Sequence, residues 1–116
     1  MTYKELVVWQ KAMDLVDEIY RVTAKFPKEE IYGLSSQMRR AAISIPSNVA
    51  EGFKRGGDKE LVRFFCFSSG SNAELETQIL IAERQGYISE VESKNLQNQT
   101  EQISKILNAL IKKHKQ

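Results

Sequence analysis

Residues 37–53 read QMRRAAISIPSNVAEGF, and the reading of Pro46 within them decides the fold. Around it Leu34, Met38, Ala41, Ala42, Ile45, Val49 and Phe53 recur in steps of three and four, the spacing of one helix face. The phase survives across the proline. A strand would alternate by two, and a helix ended at Pro46 would restart out of register. The sequence therefore predicts one helix, kinked at Pro46 rather than broken there. An internal proline removes a backbone hydrogen bond and costs about 3 kcal/mol, so the packing around it must offset that loss.

Three further helices follow on either side. Leu6, Trp9, Met13, Val16, Tyr20 and Thr23 form a stripe of the same period, with Thr2 and Glu5 placed as a capping box before it and Phe26-Pro27 closing it. Lys54-Arg55-Gly56-Gly57 reads as a turn, with Asp58 as N-cap of a third helix. That helix carries Leu61, Phe65, Ser68, Asn72, Leu75, Ile79 and Ala82 inward and stops at Gly86. Ser89 and Glu92 form a second capping box. Leu96, Ile103, Ile106, Leu107, Leu110 and Ile111 face inward on the last helix, and Lys112-Lys113-His114-Lys115 suits its C-terminus. Four helices with short connections predict an all-α, antiparallel up-down four-helix bundle, one domain over residues 1–116.

The totals agree with one globular domain. The chain has 116 residues, 41% hydrophobic and 28% charged, with a formal net charge of +2 and a pI of about 8.7. A mildly basic balance permits nucleic-acid binding without requiring it, so the placement of charge matters more than its sum. Cys66, the single cysteine, sits between Phe65 and Phe67 and is expected to be a small buried hydrophobe. No apolar run approaches the roughly 20 residues that span a bilayer, and residues 1–5 lack a signal-peptide core. The cytoplasm is the expected compartment, with no membrane partner.

Enzyme signatures are poor. His114 is the sole histidine and lies in the tail. No Cys/His cluster suits a metal, no Glu-x-x-His motif suits a di-iron bundle, and Gly56-Gly57 lacks the Lys-Ser/Thr of a phosphate loop. A non-enzymatic protein with no cofactor is expected. A polar line of Gln37, Ser44, Asn48, Glu51 and Arg55 on the second helix fits either a ligand site or a hydrogen-bonded helix seam. Small polar residues with one glutamate favour the seam.

Two other features point to binding. Arg39, Arg40, Lys54, Arg55, Lys59 and Arg63 gather around the second helix and its following turn, a basic set suited to phosphate backbone. Ile43 and Ala50 on the second helix, and Phe67 and Ile81 on the third, turn away from the core their neighbours define. They are expected to form a homo-oligomer interface.

Residues 6–16 (LVVWQKAMDLV), 26–53 (FPKEEIYGLSSQMRRAAISIPSNVAEGF) and 70–80 (GSNAELETQIL) closely resemble the four-helix bundle family of 23S rRNA intervening-sequence proteins. Gln37, Arg39-Arg40-Ala41, Ser44-Ile45-Pro46, Asn48 and Ala50-Glu51-Gly52 fall on that family's pattern. Ser68 stands where the family usually has alanine, and Asn72 where it has an apolar or small residue. The resemblance implies a bacterial protein. Through the similar accessory variability determinant of diversity-generating retroelements, it also implies a homopentamer with an RNA or DNA partner. The rival implication is an adaptor that binds a protein partner such as a reverse transcriptase, without touching nucleic acid.

Overall fold

The computed structural model describes residues 1–115. Four α-helices make the bundle: α1 Val7–Thr23, α2 Leu34–Arg55, α3 Asp58–Arg84 and α4 Glu90–His114. Short 3-10 turns at Tyr3–Glu5 and Lys28–Glu30 precede α1 and α2, and no strand occurs among the described residues. The bundle measures 44 × 23 × 20 Å. Helix α1 packs on α2 and α4, and α3 packs on α2 and α4.

The core stripe of α1 lies one step away from its expected phase. Val8, Ala12, Leu15, Ile19 and Val22 are the buried set, and Thr23 alone is shared with the expected one. Leu6, Trp9 and Val16 are half-buried flanking residues, while Met13 and Tyr20 are 39% and 42% exposed. Both sets repeat in steps of three and four. The compact aliphatic one fills the space between helices, while large rings with polar tips sit at the wet margin. The Thr2 amide donates to Glu5 Oε2 at 2.7 Å, but this bond closes the 3-10 turn before α1 rather than α1 itself.

Helix α2 runs unbroken through Pro46. The proline offers no N–H to the Ala42 carbonyl, and two side-chain bonds brace the neighbouring carbonyls, one of them from α3. Ser68 Oγ donates to the Ile45 carbonyl at 2.8 Å, and Asn48 Nδ2 donates to the Ser44 carbonyl at 2.8 Å. Ala41, Ala42, Ile45, Pro46 and Val49 are all buried. Small side chains let α3 come very close to α2. A Cβ added at Gly52 would lie 2.7 Å from the Phe64 Cβ, a separation that real Cβ atoms do not tolerate.

The turn into α3 uses Gly56 and Gly57, whose φ values of 77° and 84° suit glycine. Asp58 is the first residue of α3 rather than its cap, and its Oδ1 lies 2.9 Å from His114 Nδ1. Thus the sole histidine meets the start of α3. Burial of α3 otherwise follows the expected stripe, with Phe64 and Gln78 added. Cys66 is exposed, not buried, because the inward arc is already filled by Phe64, Phe65 and Ser68. Helix α3 ends in a Schellman motif: the Tyr87 amide donates to the Ala82 carbonyl at 2.9 Å and the Gly86 amide to Glu83 at 3.0 Å. The Ser89–Glu92 capping box forms in both directions, at 3.0 and 3.1 Å.

At the other end of the bundle Glu30 ties three segments together. Its Oε1 accepts from the Leu34 amide at 3.0 Å, and its Oε2 from the Tyr87 hydroxyl at 2.9 Å. These bonds, the amide first, hold its carboxyl below the ordinary carboxylate range. Phe26 packs against Tyr87, ring centroids 5.2 Å apart.

Three expectations follow. Gly52→Ala should destabilise the fold by about 1–3 kcal/mol through overpacking, although alanine is the better helix former. Gly70→Ala, exposed on α3 with nothing within 4 Å of its added Cβ, should stabilise by about 0.5–1 kcal/mol. Urea melts of the pair check both signs. Glu30→Gln should lower stability at neutral pH. Because the folded carboxyl titrates below its unfolded value, its contribution is present above about pH 4.3 and lost as pH falls through the lower folded value. The gap between wild type and variant should therefore close on acidification, as read by denaturant melts at stepped pH.

Candidate nucleic-acid interface

The six expected basic residues separate into three groups. Arg39 turns towards α1: its Nε donates to Thr23 Oγ1 at 2.9 Å, and its guanidinium lies 4.6 Å from the Tyr20 ring centre. It is a clamp between helices. Arg55 pairs with Glu51 at 3.0 Å and Glu60 at 3.5 Å, and Arg63 pairs with Glu60 at 3.5 Å. Both guanidinium groups sit over Phe64, at 4.9 and 5.5 Å from its centre. Such exposed pairs contribute little stability, but they fix where the charges stand.

Lys54, Lys59 and Arg40 form the third group. All are exposed and in no ion pair among the described residues. Lys59 lies in a cleft with Asp58, Val62, His114 and Lys115, where the start of α3 meets the end of α4. Lys112 and Lys113, on the last turn of α4, are exposed as well. The fold thus adds Lys112, Lys113 and Lys115 to Lys54 and Lys59 at one end of the bundle. Read along the chain, those three lysines served only to complement a helix terminus. The one clue to this placement was that α3 and α4 have similar lengths, so the end of one meets the start of the other.

Arg40 belongs to a different place. With Gln37, Ala41, Ser44, Ser71 and Glu74 it lines an open polar groove of about 380 Å³ between α2 and α3. The floor is a hydrogen-bonded seam: Ser71 Oγ donates to Ser44 Oγ at 2.8 Å, and Asn48 Nδ2 donates to the same oxygen at 2.9 Å. The polar line on α2 therefore divides. Ser44 and Asn48 belong to the seam, Glu51 and Arg55 pair with each other, and Gln37 faces the groove. Glu74 accepts from Gln78 Nε2 at 3.5 Å, while Gln78 Oε1 is buried without a partner.

The four apolar residues expected at an oligomer contact also separate. Ile43 and Ala50 line an apolar groove of about 300 Å³ between α1 and α2, with Tyr3, Trp9, Met13, Val16, Pro46 and Ser47. Phe67 and Ile81 lie on α3 outside that groove, 45% and 41% exposed. No group of three or more His, Cys, Asp or Glu side chains suited to a metal ion occurs among the described residues.

The fold has a solved counterpart. A crystal structure of a protein of unknown function from the S23 ribosomal protein family of Bacteroides thetaiotaomicron is similar, with a TM-score of 0.82. Identity is 21%, and the match covers 91% of this chain and 99% of that one, so the likeness is one of fold. No curated protein matches. The 23S rRNA-intervening sequence protein family matches residues 4–109, nearly the full length and including every basic residue weighed above except the lysines after residue 109. On that match, the chain belongs to the 23S rRNA-intervening sequence protein family.

Proposed function

We propose that this protein is a non-enzymatic, oligomeric nucleic-acid-binding protein that holds RNA or DNA phosphates at one end of its bundle. The observation that carries the reading is the meeting of Lys54, Lys59, Lys112, Lys113 and Lys115 at that end, in no ion pair among the described residues. Lysines free of ion pairs release counterions when they meet phosphate, which drives sequence-independent binding. Arg55 and Arg63 flank this end as oriented charges, and Arg40 stands further along α2; Arg39 is left out because it is spent on Thr23 and Tyr20. The expected cytoplasmic location is part of the same reading; no helix among the described residues is long and apolar enough to cross a membrane.

Self-association completes the proposal. The groove holding Ile43 and Ala50 exposes apolar surface on both of its walls, Met13 at 39% and Ile43 at 41%. Burying a side chain of this size contributes about 1.5–3 kcal/mol, and a contact repeated around a ring closes an assembly. Five copies is the number implied by the resemblance to the accessory variability determinant; Ile81 would add a contact outside the groove. The adaptor reading draws on the same groove, with a protein partner in place of a second copy.

We also propose that the helices alternate up and down and that α2 bends at Pro46. Partners across helix pairs support the alternation, since one number falls as the other rises. Asn72 meets Thr100 and Asp58 meets His114; Lys11 meets Gln102 and Arg21 meets Glu92.

Neutralising Lys59, Lys112 and Lys113 together to glutamine should weaken binding and flatten the log-affinity versus log-salt slope. The expected change is up to about 0.9 per lost contact on duplex, or about 0.7 on a single strand. Fluorescence anisotropy across a salt series reads it, and absence of wild-type binding at low salt would leave the adaptor reading. Ile43→Asp should place an unpaired charge in the contact and dissociate the assembly with helix content retained. Light scattering checks this, and a wild-type mass of one 13.3 kDa chain at micromolar concentration sinks the oligomer.

A further inference from the structure

Phe67 is 45% exposed, yet its ring packs against two neighbours on α3. Phe64 meets it edge-on at 90°, centroids 5.3 Å apart, and the Arg63 guanidinium lies 5.4 Å from its centre. Arg63 also sits over Phe64, which carries Arg55 as well. The result is a ladder of alternating cations and rings, Arg55–Phe64–Arg63–Phe67, whose last rung faces solvent. Lys59, Arg63 and Phe67 are spaced four residues apart, so they form one line along α3 that starts at the lysine-rich end. Ser71 continues that spacing and lines the polar groove with Gln37, Arg40, Ser44 and Glu74.

A single exposed phenylalanine is ordinary on a protein surface. This one stands between Lys59 and Arg63, the latter paired with Glu60, and a groove with both donors and acceptors. Arg40 and Gln37 can donate; Glu74 and Gln37 can accept. A planar heterocycle with a hydrogen-bonding edge, followed by phosphate, matches that sequence of surfaces. Base stacking on an aromatic ring is sequence-tolerant and works only on unpaired bases.

We propose that Phe67 is a stacking platform for an unpaired base of a single-stranded nucleic acid, with the adjoining α2–α3 groove taking the edge of that base. This rests on the nucleic-acid reading above, which concerns phosphate alone. It gives Phe67 a role other than the intersubunit contact expected from the sequence. It also implies a preference for single-stranded over duplex partners.

The test compares the full chain with Phe67→Ala, Phe67→Leu and Phe67→Trp. Fluorescence anisotropy at low salt would use three probes of equal length: an oligouridylate, an abasic strand and a duplex. Phe67→Ala and Phe67→Leu should each weaken oligouridylate binding by about 5- to 150-fold, the range for loss of one stacked base. Abasic and duplex affinities should stay within about twofold, and Phe67→Trp should bind like wild type. Leucine keeps apolar surface without a π face, so retained binding by Phe67→Leu would overturn the proposal. Equal loss on all three probes, or a changed solution mass in Phe67→Ala, would overturn it in favour of a subunit contact. If uridine monophosphate binds as tightly as the strand, the ligand is a free nucleotide and the single-strand proposal falls. No wild-type binding to any probe removes the phosphate reading as well, whereas binding indifferent to Phe67 removes stacking alone.

Discussion

The close approach of α2 to α3 is the constraint on which the rest of this molecule depends. Gly52 leaves no room for a methyl group against Phe64, and Ser68 and Ser71 reach across to Ile45 and Ser44 at 2.8 Å. A buried glycine in a helix costs about 0.5–1 kcal/mol relative to alanine, and an internal proline costs more. Both sit on the same helix, six residues apart, on the side packed against α3. Ser68 donates beside Pro46, and Phe64 fills the space over Gly52. Close contact also sets the surface: with Phe64 drawn against α2, Arg55 and Arg63 stack on its ring from the two helices.

Helix type and connection were legible because they rest on period and on short-range chemistry. The unbroken phase from Leu34 to Phe53 carried α2 through Pro46, and the Ser89–Glu92 pair marked the start of α4. The phase of α1 was not legible in the same way. That helix has two interleaved apolar sets of one period, and the large side chains of Trp9, Met13 and Tyr20 drew the expected stripe although the aliphatic set is the more hydrophobic. The structure buries Val8, Ala12, Leu15, Ile19 and Val22 instead. Cys66 failed for a related reason: its two flanking rings suggested burial, yet one of them, Phe67, is itself exposed.

The candidate site was half legible. Lys54 and Lys59 stood out by proximity along the chain, while Lys112, Lys113 and Lys115 join them only once α4 returns to the start of α3. Arg39 looked equivalent to Arg40 in sequence. One residue along a helix is a rotation of 100°, and this turns one guanidinium onto Tyr20 and the other into the α2–α3 groove. Adjacent identical residues thus take different work.

On the phosphate-binding reading, the gathering of lysines at one end also bears on how the molecule meets a polyanion. The far end offsets Glu29, Glu83 and Glu90 with Lys25, Lys28, Arg84 and Lys94, so the net positive charge lies towards one end of a body 44 Å long. That distance is several times the Debye length of about 8 Å at physiological ionic strength, so a polyanion senses mainly the nearer end. A rod of this kind experiences a torque as it enters the field of a phosphate chain, and it turns before it touches. Encounter with phosphate would then favour the lysine-rich end, at a rate that falls with salt, with no steric barrier needed elsewhere.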